Sequence, residues 1–286
     1  MTETTSPTQA AAPGGIVRIL VHAEPAGRST GLVRAAADLA QRLGAQLTGL
    51  GAEMAEPLAP ANPYASVTTA EWVAAMSEQI EANLKSAEAE FRKAAEGLGA
   101  EWRICRDMPA RALATVARSA DLVIVGAAPS VNYYRAADPA EVVMQAGRPV
   151  LIAPEGADHF AGRAAVVAWK DTREARRAVI DALPLLRRTQ EVVVQAVCAE
   201  PDAEYAEAQT SDVAAWLDRH GINARARVSA GVEADVVDEL NAEALAIGAD
   251  LIVAGAYGHS RLREWAFGGV TRTLLDEPRC WLLLSH

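Results

Sequence analysis

The chain carries one stretch twice: Ala120-Asp-Leu-Val-Ile-Val-Gly126-Ala-Ala128 and Ala249-Asp-Leu-Ile-Val-Ala-Gly255-Ala-Tyr257 match almost residue for residue. In each copy an unbroken apolar run ends at a glycine. A continuous run of this length fits a strand buried on both faces of a parallel sheet, where alternation is not needed. Working outward, Arg18-Ile-Leu-Val-His22 is matched with Ala165-Val-Val-Ala-Trp169, and each is followed by a helical stretch. Downstream, Arg148-Pro-Val-Leu-Ile-Ala153 is matched with Arg279-Cys-Trp-Leu-Leu-Leu284. Landmarks repeated in the same order imply a duplication at domain scale, far above the short periods of solenoids.

Within each half, short apolar runs alternate with amphipathic helical patterns, the signature of βαβ units. Strands are expected near 16–23, 45–52, 101–106, 121–126 and 149–153, and again near 163–169, 190–198, 222–229, 250–255 and 280–284. Helices are expected near 29–43, 70–98, 109–119 and 139–147, and near 172–188, 203–220, 232–247 and 268–276. The halves differ most after the second strand, where Glu56-Pro-Leu-Ala-Pro-Ala-Asn-Pro63 reads as a surface loop, because prolines this dense forbid regular structure. The junction Pro154-Glu-Gly-Ala-Asp-His159 divides the chain into a tail (1–15) expected to be disordered, a first domain (16–156) and a second (161–286).

The composition, 51% hydrophobic and 22% charged with a net charge of −10, is that of a soluble globular protein and argues against a broad nucleic-acid surface. Cys105, Cys198 and Cys280 sit singly in apolar or strand-like runs, as buried thiols of a reducing cytoplasm do. The histidines, His22, His159, His220, His259 and His286, show no metal-ligand spacing. The first residues lack the basic start and apolar segment of a signal peptide, and no apolar run approaches the ~18 residues of a membrane span. A cytoplasmic protein without membrane partners is the expectation.

After Gly255 come Gly258, Gly268 and Gly269, then Val270 and Thr271 at the start of a predicted helix. Strand, glycine-bearing loop and helix start form a phosphate cradle: glycine permits close backbone approach, and the first helical N–H groups supply donors at the positive dipole end. His259, Ser260, Arg261 and Arg263 in the loop are candidate phosphate ligands, with solvent exposure and a turn bond as the plain alternative. Trp265 and Phe267 read as loop anchors or a subunit contact.

The segment Gly255-x2-Gly258-x9-Gly268, with an apolar strand before it, resembles the nucleotide loop of the universal stress proteins, and the chain after residue 15 resembles their tandem, two-domain form. The resemblance implies α/β architecture: two tandem five-stranded parallel open sheets of order 3-2-1-4-5 with helices on both faces. It implies a nucleotide site at the switch point between strands one and four, made by Trp169, Lys170, Gly255, Gly258, Gly268, Gly269, Val270 and Thr271. The ligand implied is ATP or another adenine nucleotide, with magnesium beside a triphosphate, and the role is stress-response regulation or protection. The alternative is a nucleotide-free member acting as a dimerisation or protein-interaction scaffold. Strand five pairs like domains in this family, so Arg148–Ala153 and Arg279–Leu284 imply an intrachain pseudo-dimer or a homo-oligomer.

Two positions depart from the family pattern. Gly269 stands where nucleotide-binding members carry Ser or Thr, and Lys170 stands where they carry Asp. Losing a hydroxyl contact costs about 0.5–1.5 kcal/mol and losing a charge-assisted one about 1.5–3 kcal/mol, so Lys170 is the larger departure. A lysine there adds attraction for phosphate, pairs with Asp171, or meets a helix C-terminus. The first half lacks the later glycines, and Asp138-Pro139 with Glu141 makes a self-capped helix start that repels an anion, so that half is read as structural. No Walker loop, H-E-x-x-H or G-x-G-x-x-G occurs, and slow ATP hydrolysis is the most chemistry expected.

Overall fold

The apolar runs build a single sheet in the computed structural model, which describes residues 15–24, 29–56, 70–127, 132–232, 235–256 and 269–286. The first half contributes β1 (Arg18–His22), β2 (Gln46–Ala52), β3 (Glu101–Cys105), β4 (Leu122–Gly126) and β5 (Val150–Ala153). The second contributes β6 (Ala164–Ala168), β7 (Glu191–Cys198), β8 (Ala224–Ala230), β9 (Leu251–Gly255) and β10 (Trp281–Ser285). The spatial order is β3-β2-β1-β4-β5-β10-β9-β6-β7-β8. Two tandem sheets were expected, paired through their fifth strands. β5 and β10 do pair, antiparallel with Leu151 opposite Leu283, and the result is one continuous ten-stranded mixed sheet. The cause is legible in the strands: all of β5 and β10 is buried, and such strands cannot be left as open edges.

Eight helices are described: α1 (Thr30–Leu43), α2 (Ala70–Ala94), α3 (Pro109–Val116), α4 (Pro139–Ala146), α5 (Arg173–Leu186), α6 (Ala203–Arg219), α7 (Val236–Ile247) and α8 (Gly269–Asp276). They cover both faces and make two core layers. One joins β1 and β6 residues such as Ile19 and Val167 to α1, α5 and α6, and the other joins Leu20 and Val166 to α3, α4, α7 and α8. Both layers run continuously through the two halves.

The strand pairing corrects the internal alignment by one residue. Ile19 lies opposite Leu122 in β4, and Ala165 lies opposite Leu251 in β9. Since Leu122 and Leu251 correspond, Ile19 matches Ala165 and His22 matches Ala168, not Trp169. Rows of Val, Ala and Leu look alike when slid by one position. Strand pairing does not permit the slide, because it would turn every side chain to the opposite face.

The junction between the halves is packed. Phe160 is buried between α1 and β10, edge-on to Trp281 with ring centroids 5.5 Å apart, and the Trp281 indole donates to the His159 carbonyl at 3.1 Å. Arg42 of α1 donates to the Phe160 carbonyl and places its guanidinium 6.0 Å from the Phe160 ring centre. The expected tail, the proline-dense loop beyond Glu56, and Tyr257 to Gly268 lie outside the described residues.

Candidate functional site

Strand β6 has β9 on one side and β7 on the other, so crossovers leave it in opposite directions, and a crevice opens beyond the strand ends. In the second half that crevice is a cavity of about 680 Å³, within the ~300–1,000 Å³ common for small-molecule sites. Its floor is Ala168, Ala196 and Ala254, whose small side chains leave the space. Its walls come from Trp169, Val197, Val236 and Leu240, and Tyr205 and Val232 stand largely exposed at the mouth. The lining is mostly apolar with a few polar groups, Thr172, Gln195 and Thr271 among them.

Of the residues proposed from sequence, Trp169, Lys170, Gly255, Val270 and Thr271 line this one cavity. Gly269 is the first residue of α8 but is not part of the lining; its carbonyl accepts from the Thr273 hydroxyl at 3.0 Å. Gly258 and Gly268, with His259, Ser260, Arg261, Arg263, Trp265 and Phe267, lie outside the described residues. Thr271, in the first turn of α8, is buried against the cavity, and the first N–H groups of any α-helix lack partners within it. A donor-bearing helix start therefore faces the space.

Gly255 has a steric reason beyond ligand approach. A Cβ there would collide with the backbone of Glu174 and Ala175, because the first turn of α5 packs directly on the end of β9. That turn is capped by Thr172, whose hydroxyl accepts from the Ala175 N–H at 3.2 Å. Lys170 is exposed at the mouth, and neighbouring Asp171 is paired with Arg176. Cys198 on the wall is held as a thiol: burial raises its pKa, and Asp202 raises it further. The same two causes, burial and then Asp250, push Cys280 up to about 12.

At the matching place in the first half the chain makes polar contacts of its own across the strand ends. His22 replaces Ala168, and Leu50 stands in the register of Gln195. The segment after β4 folds over the end of β2: Met54 N–H donates to the Tyr134 carbonyl at 2.9 Å, and Arg135 pairs with Glu53 at 2.9 Å. Glu53 is fully buried and also accepts from Asn83 at 3.0 Å. Asp138 caps α4 by accepting from the Ala140 N–H at 2.9 Å, putting a carboxylate where a phosphate would need donors. Sequence reading missed the Glu53–Arg135–Asn83 cluster and Gln195. The signal was present: Gln195 is a polar interruption in the buried run Val192-Val-Val-Gln-Ala-Val197.

This geometry defines a class, a duplicated open α/β unit with a ligand-sized cavity at its second switch point. No family model matches the chain, and no curated protein matches it. Solved structures do. A universal stress protein from Archaeoglobus fulgidus DSM 4304 aligns over 94% of this chain and 95% of its own length, with a TM-score of 0.68 and 14% identity. A protein described as a putative universal stress protein, from Pseudomonas aeruginosa UCBPP-PA14, aligns over 95% and 94%, with a TM-score of 0.57 and 17% identity. The chain thus has the fold of the universal stress proteins over nearly its whole length. A universal stress protein solved in complex with cAMP aligns over 50% of this chain and 99% of its own at 26% identity, but its TM-score of 0.36 is too low to bear on the ligand. Among the described residues no helix is long and apolar enough to cross a membrane.

Proposed function

We propose that the chain is a tandem universal stress protein, with units 16–156 and 161–286, that binds an adenine nucleotide in its second unit and acts as a regulatory or protective protein. The observation that carries the reading is the cavity at the second switch point, bounded by Trp169 and Lys170 on one side and by Gly255, Val270 and Thr271 on the other. Phosphates belong at the α8 end, where backbone donors and the helix dipole favour negative charge. The base belongs toward β7, against Val197, Val236 and Leu240. Gly258, Gly268 and Gly269 complete the phosphate loop in this reading. Among the described residues no three His, Cys, Asp or Glu side chains converge, so magnesium accompanying a triphosphate would be held by phosphate oxygens and water rather than by a protein cage.

Lys170 favours a second reading, a nucleotide-free scaffold, because the carboxylate that grips the nucleoside elsewhere in the family is missing. The two readings part on a simple experiment. Freshly purified protein is denatured and the supernatant chromatographed for released nucleotide, and native protein is heated with AMP, ADP or ATP added. Released adenine nucleotide, or a rise in Tm that grows with nucleotide concentration, is expected. Absence of both effects at millimolar nucleotide would overturn the nucleotide reading.

A further inference from the structure

Gln195 lies within β7, deeply buried and part of the cavity wall. Its side-chain Nε2 donates to the Ser229 hydroxyl at 3.0 Å and reaches the Glu239 carbonyl at 3.5 Å. A backbone carbonyl only accepts, so these contacts fix which end of the amide is the amino end. The carbonyl end, Oε1, is buried and accepts no hydrogen bond. Buried acceptors without partners are rare, and Gln195 belongs to the lining of a ligand-sized cavity, so a molecule bound there is the candidate donor.

We propose that Gln195 reads the base: its Oε1 accepts a hydrogen bond from the exocyclic amino group of adenine. The inference rests on the nucleotide reading above and deepens it. Two features place the base, and not the phosphates, at Gln195. A carbonyl oxygen repels phosphate, which has donors waiting at α8. Moreover β7 lies two strands from β9 in the order β9-β6-β7, and at ~4.8 Å per strand this separates Gln195 from the β9–α8 end by roughly 10 Å, the span between the two ends of a nucleotide. The apolar wall of Val197, Val236 and Leu240 beside Gln195 suits the faces of a purine ring.

The first half provides the natural control, because Leu50 occupies the Gln195 register there, paired with strand one in the same way. Gln195→Leu therefore installs a side chain that this fold already accepts at the equivalent place. The test titrates wild type and Gln195→Leu with ATP and with purine riboside 5′-triphosphate, which lacks the amino group. Circular dichroism and thermal unfolding of each protein check that the variant is folded. Wild type is expected to bind ATP about tenfold more tightly than the analogue, and Gln195→Leu to bind both with equal, reduced affinity. Equal binding of the two by wild type, or a preference kept in Gln195→Leu, overturns the role of Gln195 and leaves the nucleotide site standing. No saturable binding of either nucleotide to wild type overturns both. If Gln195→Leu does not fold, Gln195→Met takes its place, and equal binding of the two nucleotides by wild type overturns the role of Gln195 in either case.

Discussion

At the scale of single residues, the two halves differ in what stands at the end of their first strands. His22 is buried and held neutral: burial lowers its pKa from 6.5 to about 4, against a smaller opposing hydrogen bond with the Ala52 backbone. In the unfolded chain it titrates at its ordinary value, so the unfolded state takes up a proton first as pH falls. The group leaves stability untouched above pH 6.5 and reduces it progressively as pH falls toward 4, by roughly 2–3 kcal/mol at pH 4.5. Urea denaturation of wild type and His22→Leu at pH 7.5 and 4.5 checks this: the drop between the two values should be smaller in the variant by about that amount. Ala168, the counterpart of His22, leaves room for the cavity. Ala168→His copies the first half into the second and is expected to abolish nucleotide binding while the protein stays folded, as titration and circular dichroism would report.

At the scale of elements, most of the architecture was legible in the chain. The buried strands are continuous apolar runs, and the helices are bounded by recognisable signals such as Asp138-Pro139 before α4 and Thr172 before α5. Strand register was less legible, since Arg18–His22 fits β6 equally well one residue out of place. The junction was less legible still. Pro154 to His159 reads only as a boundary between the halves, yet Phe160 directly after it is a core residue, and its partners Arg42 and Trp281 lie far away in sequence. Truncating a buried aromatic costs about 3–5 kcal/mol. Phe160→Ala should lower stability by that amount in chemical denaturation, and a loss below 1 kcal/mol would show that the junction does not hold the halves together. The site was legible in part. Glycines and strand ends pointed to Gly255, Val270 and Thr271, but the walls made by α6 and α7 depend on packing that no local pattern encodes.

For the whole molecule, charge on the strands separates the edges that pair from the edges that stay open. The outer strands carry ion pairs: Glu101 and Arg103 of β3 pair with each other and Glu101 also with Arg18 of β1, and Arg225 and Arg227 of β8 pair with Glu243 of α7. The inner strands β5 and β10 carry no charge and pair with each other. Charged edges resist strand addition and apolar edges invite it. An expressed second unit, residues 161–286, would expose Trp281–Ser285 as an uncovered edge and is expected to self-associate through it as a dimer in analytical ultracentrifugation. A soluble monomer at micromolar concentration would contradict this account of the seam. Under the proposed nucleotide reading, the same asymmetry between halves sets how many nucleotides the chain is expected to bind. At the first switch point His22 stands in the register of Ala168 and Arg135 pairs with Glu53, whereas the second carries the cavity. Calorimetric titration of the intact protein with ATP is the most direct test of this account. One nucleotide bound per chain is the predicted result, lost in Ala168→His. Absence of saturable binding, or two nucleotides per chain, would contradict it.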